Sequence, residues 1–284
     1  MENENGEVGK GTPPELYKYY SPSGVERTIF DNTIKWEVPC EENDPFEALP
    51  SGWDLNAIKN APGYRQGGES LMDAIFRATE VQRGISHVAA FVSFTKNKKD
   101  ILMWAHYADK YKGACLRFDI SRLLKNFKNG ATLEQVKYAE VRAKERERVP
   151  VSSDDPNGMS PEYQRHAIYF LTKKANEWIY EDECRLIATP VEAEFINYVK
   201  VKDASRERYI LVSDLPQGAI TELIFGYNMP VSTRLALAKQ IRIKHPECKF
   251  SEVVPNRQRY ELEIEPLELV AGIDFTNQTS TQLN

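Results

Sequence analysis

AAFVSFTKNKKDILMWAHYADKYKGACLRFDI, residues 89 to 120, is the stretch whose reading decides the fold. His87 to Phe94 is an apolar run of strand length, dense in β-branched and aromatic residues. Lys96 to Lys99 is a solvated turn, and Asp100 is a predicted N-cap for the helix that follows. Gly113 is the expected helix stop, since glycine adopts the left-handed conformation cheaply. A second strand then begins near Ala114. Within the helix, Ile101, Trp104, Ala105, Ala108 and Tyr111 recur at helical spacing and are expected to face the core. His106 and Tyr107 fall at the edge of that face and are the expected wall of a site. For His106 a structural reading stands beside this one, with Asp109 one turn on holding the imidazole.

Working outward toward the N-terminus, Leu16 to Tyr20 (LYKYY) reads as a strand. Alternation sets Leu16, Lys18 and Tyr20 on one face and Tyr17 and Tyr19 on the other. Ser21 to Gly24 is read as the turn that ends it. A lysine in an aromatic strand can meet a phosphate or carboxylate, or simply extend to water. Glu26 to Trp36 is a helix or turn leading into another strand. Asn43-Asp44-Pro45-Phe46 is a rigid turn, and Asp44 either bonds nearby backbone amides or faces a ligand. Glu69 to Arg83 has the pattern of an amphipathic helix.

On the C-terminal side, Leu133 to Val141 reads as a strand, residues 142–159 as a mobile insertion, and Pro161 as the first helical position of the next helix. Trp178 to Ile187 (WIYEDECRLI) alternates. Read as one strand, it aligns Glu181, Glu183 and Arg185 on one face and Trp178, Tyr180, Cys184 and Leu186 on the other. Such a row is either an exposed ion ladder or a site in which Arg185 holds one glutamate while the other acts. Further strands are expected at Glu207–Ser213, Ala219–Phe225, Lys249–Val254 and Arg259–Ile264, with a helix at Ser232–Lys244 capped by Ser232. The mixture lacks regular βαβ alternation, so the predicted class is α+β, a mixed, largely antiparallel sheet with flanking helices. A single domain over 14–270 is expected, with flexible tails at 1–13 and 276–284.

The 284 residues carry 37 Lys plus Arg against 42 Asp plus Glu, a net charge of −5, which gives no support to a sequence-independent nucleic-acid surface. The four cysteines are scattered, without CxxC pairs, which argues against zinc and for reduced thiols. MENENGEVGKGTPPE has no apolar signal region and no stretch is long enough for a membrane span, so a soluble cytoplasmic protein that avoids membranes is expected.

Taken together, LYKYYS, NDPFE, FVSF…MWAHYADKYKGACLRFD and K-x4-WIYEDECRLI resemble an uncharacterised bacterial domain family known only as a domain of unknown function. Tyr20 stands where members usually carry an arginine. A more distant likeness is to ADP-ribosyltransferase folds, through Ser93 after an apolar strand, Tyr107 on a helix, and Glu181-x-Glu183 entering a later strand. That resemblance implies an NAD-using transferase or NAD-glycohydrolase, a toxin-like effector in defence against phage. It implies catalytic roles for Glu183, Glu181 and His106, and nucleotide-binding roles for Lys18, Tyr19, Asn43, Asp44, Ser93, Tyr107 and Arg185. No cofactor would be held permanently. NAD would be the substrate, and a protein or nucleic acid the target. Two other readings remain: a non-catalytic sensor that binds a nucleotide or partner, and a metal-dependent nuclease using Asp44, Glu181, Glu183 and His106.

Overall fold

Strand β1 (Leu16–Tyr20) is the hinge of the architecture, because its two faces enter two different cores. Leu16 and Tyr20 join the larger apolar cluster, and Tyr17 and Tyr19 join a smaller one built around Trp104. This is the alternation the sequence predicts. The computed structural model describes residues 15–39, 44, 48, 89–127, 130–140, 161–188, 196–203 and 206–267. Asn43, Cys40, His87, the helix expected at Glu69–Arg83, the insertion at 142–159 and both expected tails lie outside the described residues.

Helix α1 (Pro22–Phe30) follows β1 directly. The Ser21-Pro22 pair, read as a turn, in fact caps it: Ser21 Oγ accepts from Gly24 N and proline occupies the first helical turn, where its missing N–H costs nothing. Next come β2 (Thr33–Trp36) and β3 (Ala90–Thr95). Helix α2 (Ile101–His106) is capped as predicted, with Asp100 accepting from Met103 N at 2.9 Å. It is shorter than predicted and turns Met103 and Trp104 inward while Ile101 is 44% exposed. Asp109, Lys110 and Tyr111 end it with three successive positive φ angles of 44, 54 and 66°. The carbonyls of Lys110 and Tyr111 are satisfied by Asn228, which helps to hold that unusual backbone.

Gly113 therefore does not serve as the left-handed stop. It is required by close approach, since a Cβ there would lie 1.9 Å from the Tyr20 carbonyl oxygen. Strand β4 (Ala114–Phe118) and helix α3 (Ile120–Asn126) complete the central unit.

The strand expected at Leu133–Val141 divides into β5 (Ala131–Gln135) and β6 (Lys137–Ala139). Val136 marks the switch, donating its N–H to Glu183 O at 2.9 Å, after which the chain leaves one sheet for another. Helix α4 (Pro161–Leu171) is followed by β7 (Lys173–Ala175), a 3-10 helix (Asn176–Glu181) and β8 (Glu183–Ala188). Beyond these lie β9 (Asn197–Asp203), β10 (Arg206–Asp214), β11 (Ile220–Phe225), α5 (Val231–Lys244), β12 (Lys249–Pro255) and β13 (Leu262–Pro266). Pro230, not Ser232, occupies the N-cap of α5, and its carbonyl accepts from Arg234 N. The last strand starts later than predicted because Asn256 Oδ1 accepts from the amides of Gln258 and Arg259 and holds them in a turn.

The main sheet has the order β13-β12-β11-β4-β1-β3-β8-β5, antiparallel throughout except for parallel β11 and β12. Smaller sheets are β2-β10-β9, antiparallel, and β6-β7, parallel. The fold is α+β, with a mixed, mostly antiparallel sheet, as the sequence predicts. One face packs on α1, α3 and α5 through Val25, Ile29, Leu123, Leu237 and Ile241, and the other meets α2 and α4. Cys115, Cys184 and Cys248 are buried free thiols. Among the described residues no helix is long and apolar enough to cross a membrane.

Candidate functional site

The main sheet opens between two of its central strands. β1 forms five residue pairs with β4 but a single pair with β3, Tyr17 opposite Thr95. Past that pair a side chain spans the gap: Lys18 Nζ donates to the Ser93 carbonyl at 3.3 Å. The gap borders a cavity of about 740 Å³ whose walls include β1, β3, α1, β2, β10 and the end of α2. Small-molecule sites typically measure ~300–1,000 Å³.

A buried ionic network forms one wall. Strand alternation puts Glu183 and Arg185 on the same face of β8, and Arg185 grips the carboxylate with two bonds, Nε to Oε1 at 2.7 Å and Nη2 to Oε2 at 3.1 Å. Arg185 is 0% exposed, donates also to the Leu171 carbonyl, and stacks over the Phe91 ring at 4.3 Å. Ser93 Oγ donates to Glu183 Oε1 at 2.5 Å. Lys174 Nζ reaches both acids, Glu181 Oε2 at 2.5 Å and Glu183 Oε2 at 3.0 Å. Tyr107 donates its hydroxyl to Glu181 Oε1 at 2.5 Å. The backbone beneath is fixed by Tyr138, whose hydroxyl accepts from Glu183 N at 2.8 Å.

The proton affinities of the two carboxyls are shifted in opposite directions. Burial works against the charge on Glu183, but the Arg185 guanidinium and then the Lys174 ammonium outweigh it, holding this group well below the usual carboxylate range. For Glu181, burial wins: it raises the carboxyl above its ordinary value, and Lys174 offsets this only in part. Burial also disfavours the charge on Lys174, yet Glu183 and Glu181 outweigh it, so the ammonium is more firmly protonated than usual. The Tyr107 hydroxyl is pushed up by burial and by the Glu181 charge beside it.

Of the residues singled out in the sequence, Lys18, Tyr19, Ser93, Tyr107, Glu181 and Glu183 line the cavity, and Arg185 stands directly behind Glu183. His106 is exposed and Asp44 is buried, and neither is among the lining residues. Among the described residues no three His, Cys, Asp or Glu side chains converge as metal ligands would.

The expectation of one strand over Trp178–Ile187 is corrected. The 3-10 helix carries Trp178 to Glu181, Asp182 takes a left-handed conformation (φ 40°), and the strand starts only at Glu183. Glu181 thus comes beside Glu183 through a reversal of the chain, and Trp178 is a half-buried ring over Lys174 at 5.0 Å. Alternating polarity is blind to this because aspartate enters the left-handed region at little cost.

Lys174 and Arg27 went unnoticed in the sequence. The lysine of K-x4-W is Lys173, which lies over the Tyr169 ring at 5.1 Å. One residue later, alternation in β7 turns Lys174 toward the acids, a signal readable only once β7 is known to be a strand.

Residues 103–186 match the family described as a protein of unknown function (DUF2971). The matched segment runs from α2 to β8. It carries Tyr107, Lys174, Glu181, Glu183 and Arg185, and leaves Lys18 and Ser93 outside. No curated protein and no solved structure matches the chain.

Proposed function

We propose that the cavity binds NAD and that the protein breaks the bond between its ribose and nicotinamide, passing ADP-ribose to water or to a macromolecular acceptor. The observation that carries this reading is convergence: Lys18, Ser93, Tyr107, Glu181 and Glu183, from separate parts of the chain, line one cavity. In the reaction the C1′–N bond breaks and its electron pair leaves with nicotinamide. Positive charge develops on the ribose, and the incoming nucleophile adds at C1′ and gives up a proton. A buried anion stabilises such a transition state far better than it would in water.

Glu181 is the group suited to that role. Glu183 has both oxygens engaged by cations, whereas Glu181 shares one cation and otherwise faces a neutral phenol that a ribose hydroxyl can replace. Tyr107 presents its ring to nicotinamide. Lys18 and Arg27 suit the diphosphate, since neither has a carboxylate partner among the described residues and both line the cavity. The enzyme would work in the cytoplasm as an effector in bacterial defence, with NAD consumed and no cofactor retained.

Incubating the purified protein with NAD, alone and with cell lysate, and following nicotinamide release is the deciding assay. Release lowered on the order of 10²-fold by Glu181→Gln is expected. Absence of release under both conditions sinks the reading.

One observation favours a second reading, a nucleotide-sensing module without chemistry: the four carboxylate oxygens of Glu181 and Glu183 are all satisfied within the protein. A nucleotide that raises the melting temperature yet is recovered intact supports it.

A further inference from the structure

Glu183 and Glu181 differ in what they stand to lose if Lys174 is removed. Glu183 keeps the two-bonded guanidinium of Arg185 and the Ser93 hydroxyl. Among the described residues Glu181 keeps only the Tyr107 hydroxyl, a neutral donor. The Lys174 side chain is 7% exposed, and its ammonium is fixed by the two acids and by the face of Trp178. It lines the cavity and bonds Glu181 Oε2, leaving Oε1 to the Tyr107 hydroxyl.

We propose that Lys174 is the positioning residue of this cleft: its ammonium holds the Glu181 carboxylate ionised and oriented for the ligand, while Arg185 grips Glu183. This deepens the NAD reading and rests on it for its catalytic consequence, though the electrostatic core is testable without any substrate. The titratable or charged groups around Glu181 are Lys174 from β7, Glu183 and Arg185 from β8, Tyr138 from β6, Tyr107 from the end of α2 and Tyr180 from the 3-10 helix, with Lys18 from β1, Arg27 and Asp31 from α1 and its end, and Lys35 and Glu37 from β2 and its end on other walls of the cavity. Among them Lys174 is the cation in hydrogen-bond contact with Glu181. The aromatic hydroxyls are neutral, and the Glu183 charge opposes ionisation of Glu181. Taking away Lys174 therefore leaves a buried carboxyl facing a like charge, which raises its proton affinity.

The test is a carbon NMR titration of protein labelled at the glutamate carboxyls, with the Glu181 signal assigned by its absence in Glu181→Gln. In the wild type Glu181 must be an anion at pH 7, and a protonated carboxyl there overturns the proposal whatever the variants do. In Lys174→Met the Glu181 midpoint is expected to rise by at least about one pH unit, the lower end of the effect of an adjacent opposite charge. Lys174→Arg should return most of that shift. Lys174→Gln keeps two N–H donors without the charge and repeats the measurement should the methionine variant fail to fold. An unchanged midpoint in a folded neutral variant, or an arginine variant as shifted as the methionine one, overturns the proposal.

Nicotinamide release separates the two ideas. The acid limb of its pH profile should move up with the Glu181 midpoint in Lys174→Met, with kcat recovered at higher pH. A purely structural lysine would lower activity equally at every pH. Release whose acid limb stays put sinks the role of Lys174 and leaves the NAD reading standing. A shifted NMR midpoint in a protein that releases no nicotinamide does the reverse.

Discussion

The two edges of β1 are made from the same five residues and do opposite things. Toward β4 every residue from Leu16 to Tyr20 finds a partner, with the buried side chains of Cys115, Leu116 and Phe118 across the seam. Toward β3 one pair forms, and past it the contact passes to the Lys18 ammonium and the Ser93 carbonyl. Ladder hydrogen bonds and buried apolar side chains stabilise the first edge. The second keeps backbone pairing to a minimum and places charged groups around a cavity. Stability and binding thus sit a few ångströms apart on one strand, separated by which neighbour its backbone chooses.

The largest expected losses test whether that division holds. Trp104→Ala, on the closed side, should destabilise by about 3–5 kcal/mol, because the ring is fully buried and its N–H bonds the Lys98 carbonyl. Urea unfolding gives the value. Glu183→Gln should cost a similar ~3–5 kcal/mol despite preserving shape, because it takes the two-bonded carboxylate away from a buried guanidinium. If that variant melts like the wild type, the network is not the electrostatic keystone of the open edge. Glu181→Gln removes the less tightly held partner. It should lower melting far less and yet reduce nicotinamide release on the order of 10²-fold, as the loss of one transition-state contact does elsewhere.

A moderate effect is expected at His245, which is not among the residues lining the cavity. Its Nδ1 accepts from Ile220 N and its Nε2 faces Asn32 Oδ1, so the fold uses the neutral ring, and burial lowers its pKa to about 4. The unfolded value is about 6.5. The stability this gives is complete above the unfolded value and is lost as pH falls from there through about 4. Urea midpoints measured from pH 7 to 4 should fall more steeply in the wild type than in His245→Gln.

The smallest stability change belongs to Lys18→Met, within ~0.5 kcal/mol, since the ammonium meets only one carbonyl at 3.3 Å and the Tyr20 ring face at 5.7 Å among the described residues. If Lys18 holds the diphosphate, this variant raises KM for NAD and leaves kcat alone. A KM unchanged from wild type would remove Lys18 from the site.

What could be read without the structure was whatever depends on near neighbours. β1 was legible to the residue because alternation over LYKYY has one physical solution, and the Asp100 cap because a side-chain acceptor must precede free amides. The α+β class followed from strand-like runs without regular helical crossovers. Glu181, Glu183 and Tyr107 stood out as polar groups in apolar company.

Tertiary structure alone decided the rest, because it turns on pairing between distant segments. The same alternation that revealed β1 concealed the break at Asp182, since a left-handed aspartate interrupts the backbone without disturbing polarity. Gly113 looked like a helix stop, but the demand on it comes from the Tyr20 carbonyl more than ninety residues away in sequence. Lys174 carried no signal in the sequence, and only the path of the chain from β7 through the 3-10 helix into β8 makes it the countercharge of two acids. A buried charge is defined by what surrounds it, and in this chain those surroundings are assembled from segments that composition and spacing cannot bring together.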